Sequence, residues 1–290
     1  MISRQVHHAA STRGRQKIGF VFLTLATAVV VLPILWLVGY IVVQGASAVS
    51  WEFIATMPRD GMRAGGVWPA IVGTALLALG TAIFAVPVGV AVAIYLAEYA
   101  HDTLLTRIIR LAIINLAGVP SVVYGLFGLG LFVIFLQFGT SILAGSLTLA
   151  IMTLPIIIST AEEALRAVPQ SFRIVSFSLG GTQWQTVRRV VLPQALPGIL
   201  TGVILGLERA AGETAPILFT VAAFFLPRLP RSIFDQTMAL PYHLFVISTQ
   251  VPEMPIRIQY GTALVLLVFV LSMNILAAVT RSRFRARRQW

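Results

Sequence analysis

The chain has 290 residues and no cysteine. Disulfides and thiolate metal sites are therefore excluded. Charge is scarce as well. Only 11% of the residues are charged, against about 25% in an ordinary soluble domain. A surface that faces water on all sides is hard to build from so few. Acidic residues are the rarer sign, 10 against 21 basic, which leaves a net charge of +11. No G-x-x-x-x-G-K-[ST] stretch occurs, so the chain has no loop of that kind to cradle nucleotide phosphates. Paired carboxylates, H-E-x-x-H and a nucleophile elbow are also missing, which leaves an intramembrane enzyme without support. The four histidines, His7, His8, His101 and His243, are scattered without ligand spacing. No internal repeat is visible, which counts against a proton-coupled secondary carrier.

What is present is apolar. Hydrophobic residues make up 58% of the chain, and the mean hydropathy is +0.90. Nearly uncharged runs of 18 or more apolar residues read as membrane helices. The expected fold is all-α and integral to a membrane. Six transmembrane helices are expected at roughly 18–43, 68–97, 109–137, 141–160, 197–226 and 259–280. Pro87, Pro120, Pro155 and Pro216 lie inside these runs. Each removes a backbone donor and predicts a kink that neighbouring groups must resatisfy. The "ASA" at 46–48 gives the first run a rival reading as a signal peptide, but its apolar stretch is too long for one.

Basic residues set the orientation, because cytoplasmic flanks carry the excess of Lys and Arg. Fifteen of the 21 fall on one side. They are Arg4, Arg13, Arg15 and Lys17 before the first run, Arg107, Arg110, Arg166, Arg173, Arg188 and Arg189 in two connections, and Arg281, Arg283, Arg285, Arg287 and Arg288 at the end. Arg59, Arg63, Arg228, Arg231 and Arg257 fall on the other side, and Arg209 lies inside a run. Both termini are then cytoplasmic. Residues 1–17 form a tail, 18–280 the transmembrane body and 281–290 a basic tail. The net charge reads as membrane topology, and nucleic acid is not an expected partner.

The longest cytoplasmic connection, 161–196, contains "GTQWQTVRRVVLPQALPGI". Gly180 and Gly181 predict a turn, and Thr182 a helix cap. Trp184, Val187 and Val191 recur at helical spacing and predict one apolar face. Pro193 is expected to end this short helix and Pro197 to begin the next span. Such a helix suits either a groove on a partner protein or the lipid interface. The stretch resembles the cytoplasmic coupling loop of binding-protein-dependent ABC importer permeases, whose pattern is E-A-A, three residues, G, nine residues, then I-x-L-P. Gly180, Val190, Leu192 and Pro193 match the later positions. Ile174, Val175 and Ser176 stand where E-A-A would, so the acidic residue is absent.

Further stretches narrow the resemblance. "GVWPAIVGTALL", "AVPVGVAVAIYLAEYA", "LAGVPSVVYGLFGLG", "LPIIISTAEEALRAVPQS" and "ERAAGETAPILFT" are similar to the PstA-type permease of phosphate importers. Ser159 and Glu208 depart from that pattern. The resemblance implies one half of a heterodimeric pore in a bacterial-type cytoplasmic membrane. It also implies a second homologous permease, an ATPase dimer that holds ATP and Mg, and an extracytoplasmic phosphate-binding protein. The chain itself would carry no cofactor. Gly180, Gly181, Gln183, Trp184, Leu192 and Pro193 would couple to the ATPase. A permease for molybdate or sulfate is the sibling reading.

The fifth run holds Glu208, Arg209 and Glu213. A charge at mid-membrane costs about 2.5–3.5 kcal/mol or more, so such groups are functional candidates. Arg209 and Glu213 are four apart and can pair on one helix face. Beside them Gly198, Gly202, Gly206 and Ala210 form a small-residue stripe that lets a helix approach closely. An arginine fork suits phosphate, and a nearby carboxylate would accept a bond from a phosphate hydroxyl, which sulfate lacks. The same pair could equally be an internal brace. Asn115 and Ser121, around Pro120, either line the pathway or satisfy freed backbone groups. Glu162 and Glu163 are expected on a solvated face. Trp51, Trp68 and Trp290 read as interface anchors.

The charge bias makes a topological prediction. In a chain without native thiols, a cysteine introduced at Thr182 should react with an impermeant thiol reagent only after the cells are opened. Labelling from outside intact cells would reverse the orientation.

Overall fold

The computed structural model describes the backbone of residues 2–286 and the side chains of 16, 19–276, 278, 279 and 282. The side chains of the two terminal basic clusters, of His7 and His8, and of Trp290 lie outside these described residues.

Helix α1 (Ile2–Gly45) is followed by a short α2 (Trp51–Ala55) and a hairpin of β1 (Pro58–Arg59) and β2 (Ala64–Gly65). The hairpin turns through Asp60, Gly61 and Met62, all with positive φ. Helix α3 (Trp68–Ile94) takes Pro69 in its first turn and continues into a π-helical turn at Tyr95–Tyr99. Then come α4 (Leu104–Ala117), α5 (Ser121–Gly128, extended by a π-helical turn at Leu129–Phe135) and α6 (Ile142–Arg166). Helix α7 (Gln170–Ser178) precedes α8 (Gln183–Thr186), a π-helical turn at Val187–Val191 and α9 (Leu192–Gly212). The short α10 (Ala215–Thr220), α11 (Leu240–Thr249) and the long α12 (Ile256–Ala286) complete the chain.

Five of these helices are long and apolar enough to cross a membrane, and a bent pair makes a sixth crossing if counted as one. The expected architecture is therefore present, with two corrections to its spans. The third, expected as one helix over 109–137, is broken between Leu104–Ala117 and Ser121–Phe135 by a bend of 102°. Pro120 supplies no N–H and drives the residue before it out of the helical region. The Leu116 carbonyl, which loses the Pro120 donor, accepts from the Val119 N–H (3.1 Å) and from the Tyr124 hydroxyl (2.8 Å). The fifth span, expected over 197–226, instead runs as one helix from Gln183 to Gly212. The backbone then turns extended at Glu213 (ψ 137°), and Pro216 sits in the first turn of α10.

Helix α6 is central, with 67% of its most apolar window buried against 0% for α1. It packs on both α3 and α9, which also touch each other. Ile157 of α6 is fully buried where the three meet, against Gly89 of α3 and Gly206 of α9. A Cβ at these glycines would stand 2.7 and 3.0 Å from Ile157. The predicted small-residue stripe is thus used within the chain: Gly198 abuts Ala164 and Gly202 abuts Thr160, both on α6. Apolar packing runs the length of this bundle. Ala85, Ala150 and Ile157 lie midway, and Ala93, Ala161, Leu165, Val191 and Ile199 pack at one end. Buried threonines spend their hydroxyls on their own helices, as Thr74, Thr81 and Thr148 do on the carbonyls of Ala70, Leu77 and Ala144 (2.7–2.8 Å). This satisfies the hydroxyl where no water is available.

At the opposite end, α11 folds back into the bundle. Its Leu240 N–H donates to Thr74 Oγ1 at 2.8 Å, and Val246 and Ile247 are fully buried. His243 is buried there too. Arg63 in the hairpin, just before β2, donates to the Pro252 carbonyl at 2.9 Å, so the segments 44–67 and 227–258 meet at one end.

Gly73 sets how closely α3 meets the segment before α11, because a Cβ there would overlap the Met238 carbonyl oxygen. Gly73→Ala should cost about 1–3 kcal/mol of stability. Gly130→Ala, whose site has nothing within 4 Å, is the control. Thermal unfolding of the purified protein in detergent distinguishes the two, and equal melting temperatures would contradict the close approach.

Candidate functional site

The segment after α6 is built as the sequence suggests up to its proline. Gly180 adopts φ +80°, the left-handed region that glycine accepts without strain. The Gly181 N–H donates to the Ser176 carbonyl at 3.0 Å. Thr182 caps the next helix reciprocally: Gln185 N–H donates to Thr182 Oγ1 (3.3 Å), and Thr182 N–H donates to Gln185 Oε1 (2.9 Å). This capping box fixes two otherwise unsatisfied donors.

Two expectations about this helix are corrected. Pro193 does not end it, because the π-helical turn at Val187–Val191 widens the backbone just before the ring. In a regular helix that ring would press on the carbonyl four residues back. Leu192 and Pro193 are consequently half-buried parts of a through-running helix. Nor is the predicted apolar face of Trp184, Val187 and Val191 covered along its whole length. Val187 and Val191 are buried, whereas Trp184 is 57% exposed. In the preceding α7 and its turn, Ile174, Val175, Phe177 and Leu179 are exposed as well. Among the described residues, these apolar side chains beside a polar turn are left uncovered.

Glu162 also departs from expectation, since it is buried rather than solvated. It accepts from Arg110 of α4 and from Arg166 Nε (2.8 Å). Glu163 is exposed. A second ion pair joins Glu98 and Arg173 at 2.6 Å, with both side chains about nine-tenths buried. Sequence reasoning missed this pairing. The available signal was that carboxylates are few and that two of them, Glu98 and Glu162, fall where apolar spans meet the basic connections.

The second constellation lies at the far end of the same helix. Arg209 occupies the last turn of α9, where the negative end of the helix dipole favours a cation. Glu213 follows the helix terminus as its cap residue, so the expected i,i+4 pair forms at the helix end. Arg209 Nε donates to Glu213 Oε1 at 3.4 Å, a long bond. Among the described residues, no other hydrogen bond engages the Arg209 guanidinium, and its side chain is 36% exposed. The neighbouring Glu208 turns away to α12, where the Asn274 amide, suitably oriented, donates to both its oxygens (2.5 and 3.0 Å).

Ser121 opens α5, which packs tightly on α10: a Cβ at Gly125 would stand 2.9 Å from Pro216 Cα. This brings the start of α5 beside the chain that leaves Glu213. Asn115 lies exposed in the last turn of α4, before the bend. Among the described residues, no hydrogen bond joins Asn115 or Ser121 to Arg209 or Glu213. No group of His, Asp and Glu among the described residues could hold a metal ion.

Residues 85–287 match the model of the family described as binding-protein-dependent transport system inner membrane component. The chain is 33% identical to the probable ABC transporter permease protein YqgI of Bacillus subtilis, over 87% of this chain and 90% of that one. It is also 33% identical to the phosphate transport system permease protein PstA 1 of Mycobacterium tuberculosis, over 93% and 89% of the two chains. Among solved structures, it resembles a chain of a bacterial ABC transporter involved in the import of the acidic polysaccharide alginate. That match has a TM-score of 0.62 at 15% identity and covers 88% of this chain and 95% of that one. At that identity the likeness speaks to fold alone.

The buried carboxylate makes a prediction of its own. Glu162→Gln leaves two arginines without their anion and should cost about 3 kcal/mol, as breaking a buried ion pair does. Glu163→Gln, on the exposed neighbour, should stay within about 0.5 kcal/mol. Denaturant unfolding in detergent measures both, and a neutral Glu162→Gln would contradict the assigned pairing.

Proposed function

The chain belongs to the family of binding-protein-dependent transport system inner membrane components, and from that premise we propose that it is the permease subunit of an ATP-driven phosphate importer. The observation that carries the substrate is the identity with phosphate transport permeases across most of both chains. The subunit is non-catalytic and sits in the inner membrane with other permease and ATPase subunits. In this reading ATP and Mg are bound by the partner ATPase dimer, and an extracytoplasmic phosphate-binding protein delivers the ion. Both termini and the Gly180 turn face the cytoplasm.

The fold supports a direct mechanical route. The helix from Gln183 to Gly212 has 30 residues, which at 1.5 Å per residue is about 45 Å. One end carries the exposed Trp184, and the other ends at Arg209. Displacement of the docking end by the ATPase therefore moves Arg209 without any intervening joint except the π-helical turn.

Arg209 has the chemistry for the passing anion. Its bond to Glu213 is long and uses Nε alone. The two terminal nitrogens remain free to form parallel bonds to phosphate oxygens. Glu213 offsets the arginine charge, so the anion is held weakly enough to leave. Its carboxylate also accepts a hydrogen bond from a protonated phosphate oxygen.

Arg209→Leu combined with Glu213→Leu tests this role. If the pair merely braces the fold, removing both charges also removes their burial cost and should restore uptake. The proposed role predicts that the double variant assembles with its partners yet transports at most about a tenth of the wild-type rate, one lost charge-assisted contact being worth tenfold or more. Arg209→Lys should be intermediate, as a point charge lacks the fork. Labelled phosphate uptake, normalised to complex in the membrane, is the measurement. Near-normal uptake by the double variant would move the pair out of the pathway.

A further inference from the structure

The ion pair between Glu98 and Arg173 ties the end of α3 to the segment that carries the docking helix. Helix α3 ends in the π-helical turn Tyr95–Tyr99, which carries Glu98. Arg173 of α7 grips the carboxylate with two bonds, Nη2 to Oε1 at 2.6 Å and Nε to Oε2 at 3.2 Å. The same guanidinium donates to the carbonyls of Val168 (2.7 Å) and Leu165 (3.0 Å), which fixes it to the end of α6. Gln183, the first residue of α8, donates its side-chain amide to the Glu98 backbone carbonyl at 2.6 Å. One residue of the second span is thus held by its side chain through α7 and by its backbone through the docking helix.

Two-pronged, charge-assisted bonds are both strong and directional, and burial stiffens them further. The two elements so joined each contain a π-helical turn, Tyr95–Tyr99 and Val187–Val191. Such turns are local departures from helical register and often mark functional positions. Beyond them, α3 and α9 pack on α6 and on each other, and both press on Ile157.

We infer that Glu98, Arg173 and Gln183 form a clamp that makes the end of α3 move as one body with the docking helix. Force applied at the Gly180 turn then enters the membrane along two helices that both pack on α6, and the π-helical turns absorb the local change of register. Glu98 and Arg173 are positioning residues. They touch neither ATP nor the transported ion. The inference rests on the reading that the docking helix receives the ATPase.

The test uses the whole complex with its ATPase and partner permease. Spin labels are placed on cysteines at the exposed Tyr95 and Ser178, on either side of the clamp. With Glu98 intact, the label-to-label distance should be narrow and the same without nucleotide and with ATP trapped. A distance that changes between those states overturns the clamp. In Glu98→Gln the distribution should broaden, and phosphate moved per ATP hydrolysed should fall about tenfold, the scale of one charge-assisted bond. Glu98→Asp should recover most of that loss, with ATPase subunits still co-purifying in both variants. Wild-type transport per ATP in Glu98→Gln would also overturn the clamp. A wild-type complex that contains no ATPase would overturn the proposed function instead. The width of the label distribution, narrow with Glu98 and broad without its charge, would then still decide the clamp.

Discussion

The fold depends on how closely α3 and α9 can approach α6. In a bilayer, apolar side chains gain little by leaving lipid for protein, so helices associate through close van der Waals contact. Gly89 and Gly206 remove the side chains that would hold the backbones away from Ile157. That contact packs the three helices against one another. With Gly198 and Gly202 it supports the long helix from Gln183 to Gly212 over its second half. Without this support, motion at the Gly180 turn would tilt one helix in lipid and would not be transmitted.

The fold class was legible because hydropathy and basic flanks are collective signals, carried by many residues at once. The stripe at Gly198, Gly202 and Gly206 and the cap at Thr182 were legible for the opposite reason: each is local and has one strong physical meaning. Proline was harder. Pro87 and Pro155 run through their helices, Pro120 and Pro216 stand at breaks, and Pro193 is carried on a π-helical turn. The ring is the same in every case, and the outcome is decided by neighbours that resatisfy the backbone. The end of α9 at Gly212 was hidden because 213–226 stays mostly apolar whether helical or not.

The candidate sites divide in the same way. Arg209 and Glu213 could be paired from a spacing of four, and so could Glu162 and Arg166. The second partner of Glu162 and the partner of Glu98 could not be found so simply. Arg110 is 52 residues from Glu162, and Arg173 is 75 from Glu98. Only the packing of α3, α4 and α7 around the end of α6 brings them together. An isolated glutamate beside a basic loop looks solvated until its cover is known.

The first helix illustrates a different consequence of the architecture. Its principal contact within the chain is α12, where Gly45 abuts the Tyr260 carbonyl and Tyr40 meets Tyr260 edge-on at 5.4 Å. Elsewhere its described side chains are largely exposed. In biosynthesis, α1 enters the bilayer before any other span, while α12 begins only at Ile256. At common elongation rates that interval is about 10–40 s. Over that interval α1, with Pro33 inside it, lacks its α12 partner, while α3, α6 and α9 are already available to pack on one another. The earliest element of the chain is thus among the last to be built in.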